Sequence, residues 1–406
     1  IILTGEMMTV SKPFFEKDMH PTVIVAAYYR ALEEGIRIIN ELAVPIDITQ
    51  DDEIKKALKS CVGTKFSSRW GDLVVNLALK SVRTVMIGNQ QEGRISIDTK
   101  RYAKIEKIPG GTLDECRVLD GVMVNKDIVH PKMRRYIKNP RILLLDCSLE
   151  YKKGESQTNL EMTKETDMTD ALQQEMDEIA QMCSEILKHN PDVVVTEKGV
   201  SDLAQHFLLK QNISVIRRVR KTDNNRIARV SGAKIVNRPE EIQETDIGTG
   251  CGLFEITKIG DEYFTYFLEC KNPKACTILL RGASKDVLNE LERNLHDALA
   301  VGRNIIQNPR LVPGGGAIEM EVSARLQEKA RSIEGLQQLP LKAASLALEV
   351  IPRTLAMNCG GDIVRLITEL RSKHSVEGGK FFGIDGNAGK IVDMRDANIW
   401  EPAVVK

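Results

Sequence analysis

The chain has 406 residues, which is enough for two or three domains with sizeable cores. Lys+Arg and Asp+Glu both total 57, so the net charge is zero and the basic excess of a nucleic-acid binder is missing. No apolar run approaches the roughly 18–20 residues of a membrane span, and no signal peptide is visible, so we expect neither a membrane nor a nucleic acid as partner.

The N-terminal part of the chain has the periodicity of helices. Residues 21–43 (PTVIVAAYYRALEEGIRIINELA) carry an apolar stripe at helical spacing and begin with a proline, which suits a first helical turn. Residues 51–87 predict two more helices, separated by GTKFSSRWGD. From about residue 108, turn residues and alternating apolar positions indicate β structure.

The middle of the chain alternates between apolar strand segments and helical segments. The predicted strands are 141–149, 192–199, 214–219 and 233–236, and the predicted helices are 171–187, 201–211 and 222–232. Ser201 suits a helix N-cap and Gly232 a helix end. Alternation at this spacing predicts a parallel sheet covered by helices.

A parallel sheet invites comparison with dinucleotide-binding enzymes, but the glycine motif is in the wrong place. The first strand is followed by EYKKGESQTN, which has no G-x-G-x-x-G. The glycine-rich GTGCG (248–252) precedes a strand, whereas a phosphate-binding loop needs a helix after it. The order of elements therefore excludes a Rossmann oxidoreductase.

Residues 151–169 form a long polar stretch between the first strand and the first helix of this alternation. Composition alone favours a mobile surface loop. The functional alternative is a protruding arm or lid that orders in one state only.

The last third of the chain combines a long helix with a glycine run. Residues 284–306 predict a helix with one apolar face and with Asp297 on the opposite, charged face. The segment LVPGGGAIE (311–319) then places three glycines before another helix, where backbone N–H groups could hold phosphate and Asp297 could orient a water. A solvated charged face for Asp297, and capping or tight packing for the glycines, are the alternatives.

The eight cysteines and six histidines show neither a disulfide framework nor metal-ligand spacing. No Cys-x-x-Cys pair occurs, and most cysteines lie in apolar runs, a pattern that fits a reducing cytosol. Cys270 and Cys276 are close enough to pair across a turn, but this compartment disfavours a disulfide.

Several motifs resemble a known family. HDAL (296–299), PGGGAIE (313–319), LEVIPRTLAMNCGGD (348–362), GIDGNAGKIVDM (383–394) and WEPAVVK (400–406) look like those of the group II chaperonins, which include the archaeal thermosome and the eukaryotic cytosolic chaperonin. TEKGVSDLAQHFL and KNPKACTILLRGAS extend the resemblance over almost the whole chain, and HPKMRRYIKNPRILLLDCSLEYKKGESQTN is similar to one subunit type of the eukaryotic complex.

The resemblance implies a multidomain α/β chaperonin fold: a mostly helical equatorial domain, a small α/β intermediate domain and an apical α/β domain with a helical lid protrusion. The implied ranges are 1–44 and 306–406 (equatorial), 45–107 and 277–305 (intermediate), and 108–276 (apical, with the protrusion near 151–175). The polar stretch thus falls where the family has its lid.

The function implied by the resemblance is ATP-driven folding of non-native proteins in the cytosol. Sister subunits would form an eight-membered double hetero-oligomeric ring, ATP and Mg²⁺ would be the cofactors, and actin, tubulin and prefoldin would be partners. An alternative is a structural ring subunit that supplies client-binding surface without hydrolysis.

The resemblance also assigns site residues. Asp297 would activate the attacking water and would reach the nucleotide only when the intermediate domain closes. The implied nucleotide contacts are Thr64, Lys65, Gly314, Gly315, Gly316, Asp385, Gly386, Asn387, Glu401 and Lys406. No residue is assigned to the metal, because the family's phosphate loop and its Mg²⁺-binding Asp are expected before Ile1. We therefore expect the 406-residue chain by itself to be inactive.

Client contacts are expected on the apical surface. The resemblance points to the helix with Leu203 and Phe207, for which core packing is the alternative. The basic pair Arg217 and Arg218 suits acidic client segments better than nucleic acid, because no aromatic residues are interleaved with it and the net charge is zero.

Overall fold

The computed structural model describes residues 1–63, 70–88, 95–151, 165–376 and 378–406. The chain forms two compact units. The first combines 1–79 with 293–406, and the second is the continuous stretch 80–292.

Helices alternate with short strands in both units, and each class is numbered along the chain. The helices are α1 (Ile2–Phe15), α2 (Pro21–Leu42), α3 (Asp51–Val62), α4 (Gly71–Val85), α5 (Thr99–Tyr102), α6 (Glu165–Leu187), α7 (Asp202–Lys210), α8 (Lys221–Ser231), α9 (Lys285–Gln307), α10 (Ala317–Arg331), α11 (Gln338–Leu348), α12 (Val350–Asn358) and α13 (Ile363–His374). The strands are β1 (Val44–Pro45), β2 (Ala103–Pro109), β3 (Arg117–Leu119), β4 (Val122–Val124), β5 (Tyr136–Lys138), β6 (Ile142–Leu145), β7 (Val193–Thr196), β8 (Ser214–Ile216), β9 (Ile235–Val236), β10 (Leu253–Ile259), β11 (Glu262–Leu268), β12 (Cys276–Gly282), β13 (Arg310–Pro313), β14 (Phe382–Asp385), β15 (Lys390–Asp393) and β16 (Trp400–Pro402).

The first unit is mainly helical, and α10 lies at its centre. This helix packs against α2, α11, α12 and α13. Its buried residues Ile318 and Val322 share a core cluster with Ile38 of α2 and Val312 of β13. A small sheet of order β1-β13-β16, antiparallel throughout, stands just before α10 and therefore fixes where the chain enters that helix.

The second unit contains the predicted parallel sheet. Its order is β8-β7-β6-β9, and every neighbouring pair is parallel. The side chains of Ile142–Leu145 on β6 are fully buried, as expected for a strand covered on both faces. The alternation of strands and helices in the sequence therefore predicted this sheet correctly, and the mixed fold class is confirmed.

Two further sheets complete the second unit. One has the order β4-β11-β10-β5 and is antiparallel, with Phe254 and Phe267 packed edge to face at 5.4 Å between ring centroids. The other has the order β2-β12-β3, in which β12 runs parallel to β2. The strand β10 follows GTGCG, so the element order that excluded a Rossmann enzyme is confirmed.

Local capping signals were also predicted correctly. Ser201 caps α7, since its side chain accepts a hydrogen bond from the backbone N–H of Ala204 at 3.2 Å. Gly232 ends α8 in the left-handed region with φ 77°, which costs a glycine little. Helix α6 begins earlier than predicted, at Glu165.

All eight cysteines are free thiols, including Cys270 and Cys276. Burial raises the pKa of Cys183 to about 11 and that of Cys276 to about 12, so both thiols stay protonated and unreactive at neutral pH. Within the described ranges, the helices are too short or too polar for any of them to span a bilayer.

The buried parallel sheet predicts where truncation is most costly. Leu144→Ala on β6, a side chain with 0% exposure, should reduce the free energy of unfolding by about 2–5 kcal/mol because it leaves a cavity between two covered faces. Leu172→Ala on α6, where the side chain is 51% exposed, is the matched control and should change it by less than about 0.5 kcal/mol. Denaturant unfolding of both variants measures the difference, and equal losses would contradict the packing described.

Candidate functional site

The glycine run forms a tight turn between β13 and α10. Gly315 and Gly316 have φ values of +63° and +76°, in the left-handed region that favours glycine. A Cβ on Gly315 would lie 2.7 Å from Met394 Sδ and 2.9 Å from the carbonyl oxygen of Ile384, and one on Gly316 would lie 2.9 Å from Pro352 Cβ. Both conformation and space therefore require glycine at these two positions.

The turn leaves backbone donors available. The N–H of Gly314 donates to the carbonyl of Ile399 at 3.0 Å, whereas the N–H groups of Gly315 and Gly316 donate to no acceptor among the residues that the structure describes. Gly315 is partly exposed, and Gly314 and Gly316 are buried. Donors at the start of a long helix are the usual means of binding phosphate, which is the role that the sequence predicts for this turn.

The β14–β15 hairpin lies directly against this turn. The N–H of Ile384 donates to the carbonyl of Gly315 at 2.9 Å, so Asp385, the next residue, is brought to the glycine run. In the hairpin loop, the N–H of Asn387 donates to Asp385 Oδ1 at 2.9 Å. The predicted Asp385, Gly386 and Asn387 therefore lie on a hairpin that is bonded to the glycine turn.

Two acidic residues and one lysine flank the turn on its other side. Glu401 on β16 pairs with Val312 on β13, immediately before the glycines. The ammonium of Lys406 lies 2.6 Å from Glu401 Oε2 and 2.5 Å from Glu319 Oε1. Burial alone would lower the pKa of Lys406, but the two carboxylates outweigh it and raise that pKa, so the lysine is charged.

Glu319 is the residue of this cluster that sequence reasoning missed. It lies in the first turn of α10, directly after the glycine run, and is 9% exposed. Its partner Lys406 follows much later in the sequence, and no periodicity connects residues so far apart. The signal in the sequence was an acidic side chain in the first turn of a helix that begins at a predicted anion site. A single carboxylate at that position is usually explained by its attraction to the positive end of the helix dipole, so it did not indicate a functional residue.

The remaining predicted site residues are not joined to the cluster by the contacts described. Asp297 is on the exposed face of α9, as the helical periodicity predicted. Thr64 and Lys65 lie outside the described residues. The helix α3 that precedes them is held to β16, since the N–H of Trp400 donates to Ser60 Oγ at 3.2 Å.

Metal-binding geometry is not found within the described ranges. There, no group of three or more His, Cys, Asp or Glu side chains is arranged so that it could hold a metal ion.

The predicted client residues lie in the second unit. Leu203 and Phe207 on α7 are half-buried and pack against the core of the parallel sheet, so the core-packing alternative accounts for part of their surface. Arg217 and Arg218 are exposed and follow β8. The N–H of Arg218 donates to the carbonyl of Lys198 at 3.1 Å, which fixes the backbone beneath the two guanidinium groups.

Comparison with known proteins gives consistent matches over the whole chain. The model of the TCP-1/cpn60 chaperonin family matches residues 1–406. T-complex protein 1 subunit gamma of Tetrahymena pyriformis is 71% identical over 406 residues, covering 100% of this chain and 72% of that protein. The human protein of the same name is 56% identical and is covered to 74%. The gamma type is the subunit type that the sequence runs had indicated.

A solved structure agrees with the fold. The open-state monomer of a group II chaperonin from Methanococcoides burtonii matches with a TM-score of 0.76 and 30% identity, covering 100% of this chain and 93% of that one.

The geometry of the turn predicts opposite outcomes for two glycines of the site. Gly315→Ala should destabilise the fold by more than about 2 kcal/mol, because a left-handed alanine costs about 1–2 kcal/mol and its Cβ meets a backbone carbonyl. Gly386→Ala, where a Cβ meets nothing within 4 Å, should leave stability unchanged or raise it by up to about 1 kcal/mol. Denaturant midpoints decide, and indistinguishable midpoints would contradict this description.

Proposed function

The chain belongs to the TCP-1/cpn60 chaperonin family and is a subunit of an ATP-dependent chaperonin, and we propose that it hydrolyses ATP to close a lid over non-native proteins. The observation that supports a nucleotide site at this subunit, which hydrolysis requires, is the convergence of one glycine turn, one acidic strand residue and one lysine. Gly315, Glu401 and Lys406 lie on segments that β13, β16 and α10 hold together.

The cluster suits the two polar ends of a nucleotide. The N–H groups of Gly315 and Gly316, which have no acceptor among the described residues, would donate to phosphate oxygens at the start of α10, where the helix dipole favours negative charge. Glu401 would accept hydrogen bonds from the ribose hydroxyls. Asp385, Gly386 and Asn387, on the hairpin bonded to the turn, would border the base.

Asp297 would act on the water that attacks the terminal phosphate. A carboxylate can orient such a water and accept its proton, but only within hydrogen-bond reach. We propose that Asp297 reaches this position when the intermediate domain closes, which would make hydrolysis depend on the shape of the subunit. Thr64 and Lys65 would contribute a hydroxyl and an ammonium near the phosphates.

ATP would bring Mg²⁺ on its phosphate groups. Magnesium sites of this kind use one or two carboxylates together with substrate oxygens. Because the described residues offer no cluster of metal ligands, we assign no step of the reaction to a metal held by them.

The domain proposal follows the predicted ranges. Residues 1–44 and 306–406 would form the equatorial domain, 45–107 and 277–305 the intermediate domain, and 108–276 the apical domain. The stretch near 151–175 would be the helical lid protrusion; its residues 152–164 lie outside the described residues. All the described nucleotide-site residues fall in the first compact unit, and the parallel sheet falls in the second.

The subunit assembles with sister subunits in a hetero-oligomeric ring. We propose that the ring is eight-membered and double, that it works in the cytosol, and that its clients include actin and tubulin delivered by prefoldin. Leu203, Phe207, Arg217 and Arg218 would contribute to the client surface.

The proposed hydrolysis is tested by Asp297→Ala in the assembled ring. The variant should hold ATP as the wild type does but form ADP about 10²–10⁴-fold more slowly at this subunit, because the attacking water loses its base. Photo-crosslinking of labelled ATP separates bound ATP from ADP at this subunit. Asp286→Ala, an exposed acidic residue in the first turn of α9, is the control and should behave as wild type.

Two outcomes would contradict the proposal. If Asp297→Ala forms ADP as fast as the wild type, Asp297 has no catalytic role. Nucleotide held without turnover in the wild type would identify a structural ring subunit.

The proposed client surface is tested by charge reversal. Arg217→Glu with Arg218→Glu should weaken capture of denatured actin by the assembled ring about threefold to tenfold, since exposed charges contribute roughly 0.2–1 kcal/mol each. Lys100→Glu with Arg238→Glu reverses two other exposed charges of the same unit and should have no effect. If both double variants capture the client equally well, this part of the surface takes no part in recognition.

A further inference from the structure

Glu319 links the helix after the glycine turn to the charged residues beside it. The residue lies in the first turn of α10 and is 9% exposed. Its Oε1 accepts from the Lys406 ammonium at 2.5 Å. Its Oε2 is buried and has no hydrogen-bond partner among the described residues, so the contact with Lys406 is the polar interaction that the structure records for this carboxylate.

Lys406 is held by its charge. The ammonium is shared by Glu319 and Glu401. The residue also lines an apolar cavity of about 190 Å³, whose lining includes Val322 and Leu326 of α10. A lysine side chain has four rotatable bonds, and without fixed partners its ammonium would sample several positions. Two carboxylates on different elements restrict it to one.

The two oxygens of Glu401 face different groups. Oε2 contacts Lys406 at 2.6 Å. Oε1 faces the turn, since a Cβ on Gly314 would lie 3.1 Å from it. The rotation of the Glu401 carboxylate is therefore fixed by Lys406, and Lys406 is fixed in turn by Glu319.

From this chain of contacts we infer that Glu319 is a positioning residue for nucleotide binding, which it serves by holding Lys406 so that Glu401 presents its carboxylate at the ribose end of the site. The inference rests on the proposed function, in which Glu401 accepts the ribose hydroxyls. Glu319 belongs to the same helix that begins at the glycine turn. One rigid element thus sets the distance between the phosphate donors and the ribose acceptor, which is the kind of preorganisation that favours binding.

Loss of the Glu319 charge leaves Lys406 with one carboxylate instead of two. The ammonium already contacts Oε2 of Glu401, and it is then free to move towards Oε1 as well, so that it occupies both oxygens that the ribose needs. The nucleotide would have to displace it or bind with an unsatisfied hydroxyl, and either costs affinity. Asp297 is on a different helix, so turnover of ATP already bound should be unaffected.

Glu319→Gln in the assembled ring tests this directly. The substitution keeps the size of the side chain and removes the charge, and it disturbs no second recorded polar contact because Oε2 has no partner. The dissociation constant of ATP at this subunit should rise about tenfold, while the turnover of bound ATP should change less than about twofold. Glu319→Asp, which keeps the charge on a shorter stem, should recover part of the affinity.

Selectivity for the sugar gives a readout that a purely structural ion pair would not affect. The wild type should bind ATP more tightly than 2′,3′-dideoxy-ATP, because the analogue leaves Glu401 without donors. In Glu319→Gln this preference should shrink towards one, since Glu401 is no longer aligned. An unchanged preference, or unchanged ATP affinity, would overturn the assignment.

Glu321→Gln is the matched control. Glu321 lies two residues further along α10, is 7% exposed and is also ion-paired, with His374 Nδ1 at 2.8 Å and Arg325 Nε at 2.8 Å. Burial alone would raise the pKa of Glu321, but these two partners outweigh it and lower that pKa, so the loss of charge is comparable. This variant should lose stability but keep the affinity and the sugar preference.

Lys406→Met and Glu401→Gln separate the two levels of the inference. If both variants leave ATP affinity unchanged, the proposed assignment of Glu401 to the ribose is wrong, and so is the positioning role of Glu319 that depends on it. If both weaken binding and lose the sugar preference while Glu319→Gln does neither, the proposed site stands and only Glu319 is excluded.

Discussion

The structure of the first unit depends on the close approach of three backbone segments at the glycine turn. A Cβ added to Gly383 would lie 3.0 Å from the carbonyl oxygens of both Gly314 and Gly315. A Cβ added to Gly316 would meet Pro352 in the same way. No side chain fits between these segments. Because the turn enters α10 and is bonded to the β14–β15 hairpin and the 394–399 loop, its geometry fixes how these three segments meet.

A group of three charged side chains beside the turn adds to what close packing determines. Glu319, Lys406 and Glu401 form a compact group in which one ammonium serves two carboxylates. Such a group is expensive to bury but specific in geometry, because each member has a defined position only when the others are in place. Close packing therefore sets the path of the backbone, and the charged group sets the orientation of side chains that packing alone would leave free.

The sequence predicted those features that depend on neighbouring residues. Ser201 begins α7 and Gly232 ends α8 through local contacts, and the apolar runs of β6 and β7 are typical of central strands, so the caps and the sheet could be predicted from the sequence. The glycine turn could be predicted as a candidate phosphate site because its three glycines are consecutive in the sequence. The pairing of Glu319 with Lys406 could not be predicted, because it requires β16 to return beside β13, the strand that leads into α10. The nucleotide roles that we propose for Glu401 and Lys406 rest on family resemblance, since nothing local distinguishes these residues from surface charges.

The discontinuity of the first unit has a consequence for the order in which the protein forms during synthesis. Strand β1 pairs with β13, and Val44 opposite Leu311 is separated from it by the whole of the second unit. A ribosome needs about 15–50 s to add the roughly 270 residues between them at roughly 5–20 residues per second. During that interval α1 and α2 have no α10 or α11 to pack against, whereas the second unit is continuous and can fold as soon as it emerges. During synthesis, the nascent chaperonin subunit thus passes through a stage in which the apolar faces of α1 and α2 are not yet covered by α10 and α11.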